Sequence, residues 1–292
     1  MTKTTKQHDF FISIPDFLKL IRAKNLLIVA LTQYLARIFL IGPKEEWVAH
    51  LMDTRFMLLC FSTLLIAASG YIINDYYDVK IDTINKPNEV VIGRIMRRRV
   101  AMFTHTTFNF IGIAIGFYLS KTIGIINFFA AFWLWLYSNQ LKREPFIGNI
   151  SVAALTALSV LILSIYFETQ NYLIYIYGVF AFFISVIREI IKDMEDVRGD
   201  LEFGCKTLPI VWGFRKTKSL VFFLLGAFTT ITIILLTYIE SAWLHGYFAV
   251  MILPLGWFSV LLYRADTKRK FSFLSNFCKW VMVSGVLAMT LI

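Results

Sequence analysis

The sequence predicts an all-α polytopic membrane protein, with nine transmembrane helices around a central cavity and two long, Asp-rich cytoplasmic loops. Three observations lead to this fold class: the excess of apolar residues, their grouping into stretches of membrane-spanning length, and the uneven placement of Lys and Arg. Of the 292 residues, 58% are hydrophobic and 16% are charged, and the mean hydropathy is +0.67. Soluble domains have about 45–50% apolar and about 25% charged residues, so the composition excludes a soluble globular protein.

A transmembrane helix needs about 20 mostly apolar residues. We predict such helices over residues 25–42, 56–74, 100–120, 122–141, 146–167, 171–191, 219–239, 241–263 and 271–292. Arg37 interrupts the first stretch and Lys279 the last, and we expect both side chains to reach the interface or to pair within the bundle. No polar stretch between the helices is long enough to fold separately, so residues 1–292 are predicted to form one domain, with 1–24 as a cytoplasmic N-terminal segment.

Lys and Arg collect in every second connection, beginning with the N-terminal segment, and are nearly absent from the others. Because basic connections stay on the cytoplasmic side, the N-terminus is predicted to be cytoplasmic and the C-terminus outside. The expected location is the cell (inner) membrane. The net charge of +10 then comes from basic residues at helix ends near the membrane surface, and no nucleic-acid partner is expected. The charged N-terminal residues lack the apolar core of a cleavable signal peptide.

Two segments after predicted helices repeat each other. Motif 1, residues 74–82, reads NDYYDVKID, and motif 2, residues 192–200, reads KDMEDVRGD. Both contain Asp-x-x-Asp-Val-(Lys/Arg)-x-Asp, and on a helix these three aspartates fall on one face. The aspartates are Asp75, Asp78 and Asp82 in motif 1 and Asp193, Asp196 and Asp200 in motif 2.

Carboxylates stacked on one helix face repel each other, and a divalent cation would offset that repulsion. Mg²⁺ is usually held by one or two carboxylates together with phosphate oxygens of a substrate. Either motif alone could be a solvated acidic face, but the repeat of the same spacing favours a pair that clamps a diphosphate through Mg²⁺. All six aspartates are therefore candidate metal ligands, and Asp75, Asp78, Asp82, Asp196 and Asp200 are the candidate catalytic residues.

Such a site suits ionisation of an allylic diphosphate, with the metal as Lewis acid and template. Lys142 and Arg143, after the fourth predicted helix, either add to the clamp or anchor the chain at the interface. Arg188 and Glu189 lie inside the sixth predicted helix, where charges are costly. We expect them to face the cavity, where Arg188 binds an anionic acceptor or diphosphate, or else to pair structurally.

The motifs resemble the UbiA superfamily of intramembrane prenyltransferases. The resemblance rests on motif 1 and on Asp196 and Asp200 with the following Gly-Cys-Lys-Thr. It rests further on Tyr137 with the Leu-Lys-Arg that ends at 143, on Gly148 and Asn149, and on Asn25 in the first predicted helix. It implies nine helices around a cavity that opens to the lipid, and Mg²⁺-dependent transfer of a polyprenyl group from its diphosphate to an acceptor. It further implies substrate-binding roles for Asn25, Asn74, Tyr137 and Lys192.

Residues 188–200 with the Lys-Thr-Leu-Pro at 206–209 look most like the digeranylgeranylglyceryl phosphate synthase branch of that family. That resemblance implies a geranylgeranyl donor and a glycerol-phosphate prenyl ether lipid as acceptor. Family members commonly have an Arg-Pro run after the first motif. This chain instead reads NEVVIGR over residues 88–94, and Arg94 and Lys86 are the candidates to replace the missing arginine.

Other functions remain open at this level. Within the family, the acceptor could instead be aromatic, of the 4-hydroxybenzoate or naphthoate type used in quinone biosynthesis. A cation-coupled transporter would place its charges near the bilayer midplane at broken helices, whereas both motifs here follow the apolar stretches. A lipid-binding scaffold without catalysis would make the aspartates dispensable.

Overall fold

The structure is a computed structural model that describes residues 12–238 and 241–292. Regular structure in these residues is helical, apart from one isolated bridge between Ile92 and Met96. The helices are α1 (Ile14–Leu20), α2 (Ala23–Phe39), α3 (Trp47–Met52), α4 (Thr54–Asn85), α5 (Arg98–Leu119), α6 (Lys121–Asn139), α7 (Ile147–Phe167), α8 (Tyr172–Glu202), α9 (Leu208–Leu236), α10 (Ala242–Tyr263) and α11 (Lys268–Leu287). Residues 1–11 of the predicted N-terminal segment and Ile239 at the predicted end of the seventh helix lie outside the described residues.

Each of the nine predicted membrane helices overlaps one long helix. The first overlaps α2, and the other eight overlap α4 to α11 in order. Within the described ranges, seven helices are long and apolar enough to span a membrane: α4, α5, α7, α8, α9, α10, and α11 with its extension to Leu291. The other two are α2 and α6, with 17 and 19 residues. Large apolar side chains such as Phe223 and Trp280 are exposed, as lipid-facing residues are. The chain is an integral membrane protein, and the count of nine spans stays a prediction.

The prediction of two long Asp-rich loops is wrong, because both motifs are helical. Helix α4 continues to Asn85 and α8 to Glu202, so the connections that follow them are only residues 86–97 and 203–207. The reason is length: the 32 residues of α4 extend about 48 Å, whereas the hydrocarbon core is about 30 Å thick. Hydropathy marks where the apolar section ends, but the helix continues beyond it.

The described chain divides into two compact units. Unit 1 contains Leu58–Asn139 and the described part of Met1–Leu27, and unit 2 contains Ile28–Met57 and Gln140–Ile292. In unit 1, Leu20 packs with Ile72 of α4 and with Val91, Ile92 and Met96 of the 86–97 connection. The segment around α1 is thereby fixed against the end of α4 that carries motif 1.

Unit 2 is built around α8. Its buried residues Ile187, Ile190 and Ile191 form one apolar core with residues of α7, α9, α10 and α11. Near its start, α9 is interrupted at Gly213, which has a φ of 76°. Arg37 of α2 pairs structurally, as expected: it donates to the carbonyl of Ile41 at 2.6 Å, and its guanidinium lies 4.4 Å from the centre of the Phe167 ring.

Small residues bring α5 and α6 of unit 1 close together. A Cβ added at Gly116 of α5 would lie 3.1 Å from the Cα of Gly124 in α6 and 2.7 Å from Nδ2 of Asn127. That amide also holds α4 and α5, because it donates to Ser62 Oγ at 3.3 Å and to the carbonyl of Gly112 at 3.0 Å.

We expect Gly116→Ala to lower the free energy of unfolding by about 1–3 kcal/mol, because the new methyl group overpacks a backbone contact that cannot yield locally. Thermal unfolding of the purified protein in detergent measures the effect. Gly226→Ala in α9 is the matched control, since a Cβ there meets nothing within 4 Å. Equal stabilities for the two variants would contradict the close approach of α5 and α6.

Candidate active site

Motif 1 occupies the last turns of α4, and its first carboxylate, Asp75, forms an ion pair. Arg22 donates from Nη2 to Asp75 Oδ1 at 3.0 Å, with both side chains partly buried. The same guanidinium lies 4.9 Å from the centre of the Tyr71 ring, one turn earlier in α4. Asp75 is therefore held by a cation from the N-terminal segment.

The backbone between α1 and α2 aims Arg22 at this position. Arg22 has a φ of 50°, a left-handed conformation that non-glycine residues seldom adopt. Its carbonyl accepts from the backbone N–H of Asn25 at 2.8 Å, and the Asn25 side chain donates to Tyr71 Oη at 3.3 Å. Sequence reasoning identified Asn25 but missed Arg22 and Tyr71. The sequence signal for Arg22 was its position three residues before Asn25, which is the first residue of the predicted helix.

The remaining carboxylates of motif 1 follow along α4. Asn74 donates from Nδ2 to Asp78 Oδ2 at 3.0 Å, one turn along the helix. Asp82 lies one further turn along and is half-buried. The expected single face of three aspartates is confirmed for α4, because the whole motif is helical.

Motif 2 occupies the corresponding part of α8. Asn149 of α7 donates from Nδ2 to Asp193 Oδ2 at 2.8 Å, and Asn149 is buried. Because the motif is helical throughout, its three aspartates also follow one face. Asn149 is among the residues that carry the family resemblance, but no role was predicted for it.

Within the five residues before Asp193, three charged side chains pair on α8. Arg188 donates from Nη1 to Oε1 of Glu189, and Lys192 Nζ lies 3.9 Å from Oε2 of the same carboxylate. Glu189 is buried, so the two cations compensate a charge that would otherwise be costly there. The structural alternative for Arg188 and Glu189 was a pairing with other helices, but the two side chains pair with each other on α8.

The predicted cations Lys142 and Arg143 lie in a short 3₁₀-helix between α6 and α7. The backbone N–H of Lys206 donates to the carbonyl of Arg143 at 2.7 Å, which ties this turn to the connection after motif 2. Gly148 permits the approach, since a Cβ there would lie 3.0 Å from the carbonyl oxygen of Leu141. Tyr137 lies near the end of α6 in unit 1, and Arg94 donates to the carbonyl of Pro87 within its own connection at 3.2 Å.

The donor set of the motifs fits Mg²⁺. All predicted ligands are carboxylate oxygens, which hard cations prefer. Among the described residues, no three His, Cys, Asp or Glu side chains converge as a closed metal cage. Mg²⁺ does not require one, because one or two carboxylates suffice when phosphate oxygens and water complete its octahedron.

The sequence and the fold both match known proteins. Residues 34–282 match the model of the UbiA prenyltransferase family. The chain belongs to this family, and it is a membrane prenyltransferase. The resemblance identified from the motifs is thereby confirmed.

Among its relatives are digeranylgeranylglyceryl phosphate synthases. The chain is 33% identical to the one from Thermococcus sibiricus over 205 residues, which are 70% of this chain and 71% of the relative. It is 36% identical to the one from Saccharolobus solfataricus over 208 residues, with coverage of 70% and 71%.

Solved structures share this fold. A structure from work on a digeranylgeranylglyceryl phosphate synthase has a TM-score of 0.68 at 25% identity and covers 94% of this chain and 96% of its own. A UbiA homologue from Archaeoglobus fulgidus, bound to dimethylallyl diphosphate and Mg²⁺, has a TM-score of 0.64 at 15% identity, with coverage of 94% and 98%.

The Arg22–Asp75 ion pair competes with any cation that binds Asp75. We expect Arg22→Gln to bind Mn²⁺, measured by electron paramagnetic resonance without diphosphate, about two- to tenfold more tightly, the modest effect typical of a partly exposed ion pair. Arg98→Gln is the control, because Arg98 lies over the Tyr76 ring at 4.4 Å and donates to the Tyr76 carbonyl. Unchanged or weaker Mn²⁺ binding in Arg22→Gln would contradict the competition.

Proposed function

We propose that the protein transfers a geranylgeranyl group from its diphosphate to a glycerol-phosphate lipid that already carries one prenyl ether chain, and releases diphosphate. The observation that carries the proposal is the repeated motif on two long helices. In α4 and in α8, the first motif aspartate comes about six turns, or about 31 Å, after the helix begins. That distance matches the hydrocarbon thickness. The digeranylgeranylglyceryl phosphate synthases among the relatives support the choice of acceptor.

In the reaction, the C–O bond between the prenyl group and the diphosphate breaks, and the acceptor hydroxyl oxygen forms a new C–O ether bond. The hydroxyl proton is released, and the leaving group departs as diphosphate. Mg²⁺, when bound, neutralises the charge that develops on the leaving diphosphate. We assign its ligands to Asp75, Asp78 and Asp82 of motif 1 and to Asp193, Asp196 and Asp200 of motif 2.

Other residues bind and orient the substrates. Lys142, Arg143, Arg188 and Lys192 supply positive charge for phosphate groups, as preorganised cations do at sites of phosphoryl charge. Asn25 and Asn74 hold Tyr71 and Asp78 by the hydrogen bonds described above. We assign Tyr137 to the substrate site by its match to the family motif. With the N-terminus in the cytoplasm and the C-terminus outside, as the positive-inside bias predicts, both motifs work at the cytoplasmic surface.

Prenyl transfer by the purified protein tests this function. The protein is incubated with radiolabelled geranylgeranyl diphosphate and Mg²⁺, and geranylgeranylglyceryl phosphate and 4-hydroxybenzoate are offered in parallel, each with an EDTA control. We expect an EDTA-sensitive product with the lipid acceptor alone. A product with 4-hydroxybenzoate alone would reassign the acceptor as aromatic, and no product with either would contradict the proposed reaction.

We expect Asp78→Asn and Asp196→Asn each to lower kcat by about a hundredfold or more, because each removes a carboxylate that stabilises charge during the reaction. Asp266→Asn is the matched control. Asp266 is exposed in the connection before α11, and its hydrogen bond from Lys270 lowers its pKa, so it is charged at neutral pH. Folding of each variant is checked by its elution as a monodisperse species. Near-normal turnover of both motif variants would contradict the assignment.

A further inference from the structure

Unit 2 contains a mostly apolar, partly open cavity of about 280 Å³. Residues of α2, of α7 to α11 and of the turn after α11 line it, most of them with hydrocarbon or aromatic side chains and six with the small hydroxyl side chains of Ser or Thr. Phe180 of α8 meets Phe228 and Phe248 edge-on, with ring centres 5.5 Å apart in each pair. A cavity walled in this way, in helices that span the membrane, suits an unsaturated hydrocarbon chain.

Two hydroxyl groups in the cavity wall are unsatisfied. Among the described residues, Tyr177 Oη and Ser185 Oγ are buried and have no hydrogen-bond partner. Buried hydroxyls without partners cost free energy. Ser185 lies at the end of the cavity towards the charged residues of α8, where a ligand with a polar group next to its chain would supply the missing partner.

The cavity continues along α8 as a polar face. Tyr177, Ala181 and Ile184 line the cavity, and Arg188 and Lys192 follow them at intervals of four residues. These spacings of three and four residues keep all five on one side of the helix. Arg188 is thus only about 6 Å along the helix from the cavity wall at Ile184, and it lies between the cavity and motif 2.

Arg188 has donor capacity left for a ligand. Its side chain is 16% exposed and its Nη1 is engaged by Glu189. In the part of the chain that the structure describes, its buried Nε has no hydrogen-bond partner. Arg188 and Lys192 share one carboxylate between two cations, so this group of three side chains keeps one net positive charge. A phosphate monoester suits such a position, because it can bind a guanidinium directly without a metal.

We propose that the cavity and this face of α8 form the subsite for the acceptor lipid, with its prenyl chain in the cavity and its phosphate on Arg188 and Lys192. Ser185 then bonds an oxygen of the glycerol, between the phosphate and the chain. The assignment of this ligand as acceptor rests on the proposed function. The subsite recognises an anionic lipid with one prenyl chain, and an aromatic acceptor without a chain would leave the cavity unfilled.

Binding experiments test the subsite without turnover. The protein in lipid nanodiscs, with EDTA and no donor, is titrated with geranylgeranylglyceryl phosphate and with dimethylallylglyceryl phosphate, which carries one isoprene unit. The cavity is filled by Gly285→Phe, because a Cβ at Gly285 meets only Tyr247 Oη, at 4.0 Å. Gly256→Phe in α10 is the matched control: its Cβ meets nothing within 4 Å, and Gly256 does not line the cavity.

We expect Gly285→Phe to weaken binding of the long-chain lipid about tenfold or more, since displacing even two methylene groups changes affinity about tenfold. Binding of the one-isoprene lipid stays unchanged, and Gly256→Phe matches the wild type with both ligands. Unchanged long-chain binding in Gly285→Phe would overturn the proposal. An equal loss of Mg²⁺–geranylgeranyl diphosphate binding would overturn it as well, because the cavity would then hold the donor chain.

A separate variant tests the part of the subsite that binds the phosphate of the lipid. Arg188→Gln should weaken both phosphate-bearing lipids about ten- to a hundredfold and leave geranylgeranylglycerol, which has no phosphate, unaffected. Equal loss for all three ligands, with a lowered melting temperature, would make Arg188 structural and contradict the phosphate assignment.

A bilayer lipid is the competing occupant. Native mass spectrometry of the wild type should show release of any co-purified lipid on addition of geranylgeranylglyceryl phosphate. Retention of a diacyl lipid, lost only in Gly285→Phe, would overturn the proposal. Because these readouts need no product, they separate failure of the subsite from failure of the proposed reaction.

Discussion

The backbone in a lipid bilayer must satisfy its own hydrogen bonds, and this constraint determines where chemistry can occur in this protein. Helices are the solution for a chain of this composition, and they leave little room for charge in the hydrocarbon. The first carboxylate of each motif comes about 31 Å after its helix begins, a length that matches the thickness of the hydrocarbon. The same helices continue as rigid, hydrogen-bonded supports for these side chains, so motif geometry does not depend on a flexible loop.

Neighbouring donors offset the mutual repulsion of the aspartates within each motif. Arg22 pairs with Asp75, Asn74 donates to Asp78, and Asn149 donates to Asp193. The donors come from a preceding helix junction, from the same helix and from an adjacent helix. These three carboxylates are therefore oriented before a ligand arrives, and preorganisation of this kind lowers the cost of binding.

Local patterns predicted most of the architecture, and tertiary contacts account for what they missed. The apolar stretches located the long helices, and the aspartate spacing predicted a helical face, because both depend on residues close in the chain. The continuation of α4 and α8 past the apolar stretch was missed, since hydropathy reports the surroundings of a helix rather than its end. Arg22 was counted only among the basic residues, because its partner Asp75 is distant in sequence and its left-handed backbone carries no signature. Asn149 and the cavity of unit 2 likewise depend on how helices pack.

In α4 and in α8 the first motif aspartate lies at the same distance from the start of its own helix, and this distance bears on the fate of the products of the proposed reaction. A bond broken at the level of the lipid headgroups separates its two fragments by solubility: the diphosphate enters water, and the lengthened lipid stays in the leaflet. Neither product has to cross the hydrocarbon in order to leave. For the proposed reaction, partition between the two phases would then oppose the reverse direction without any moving part.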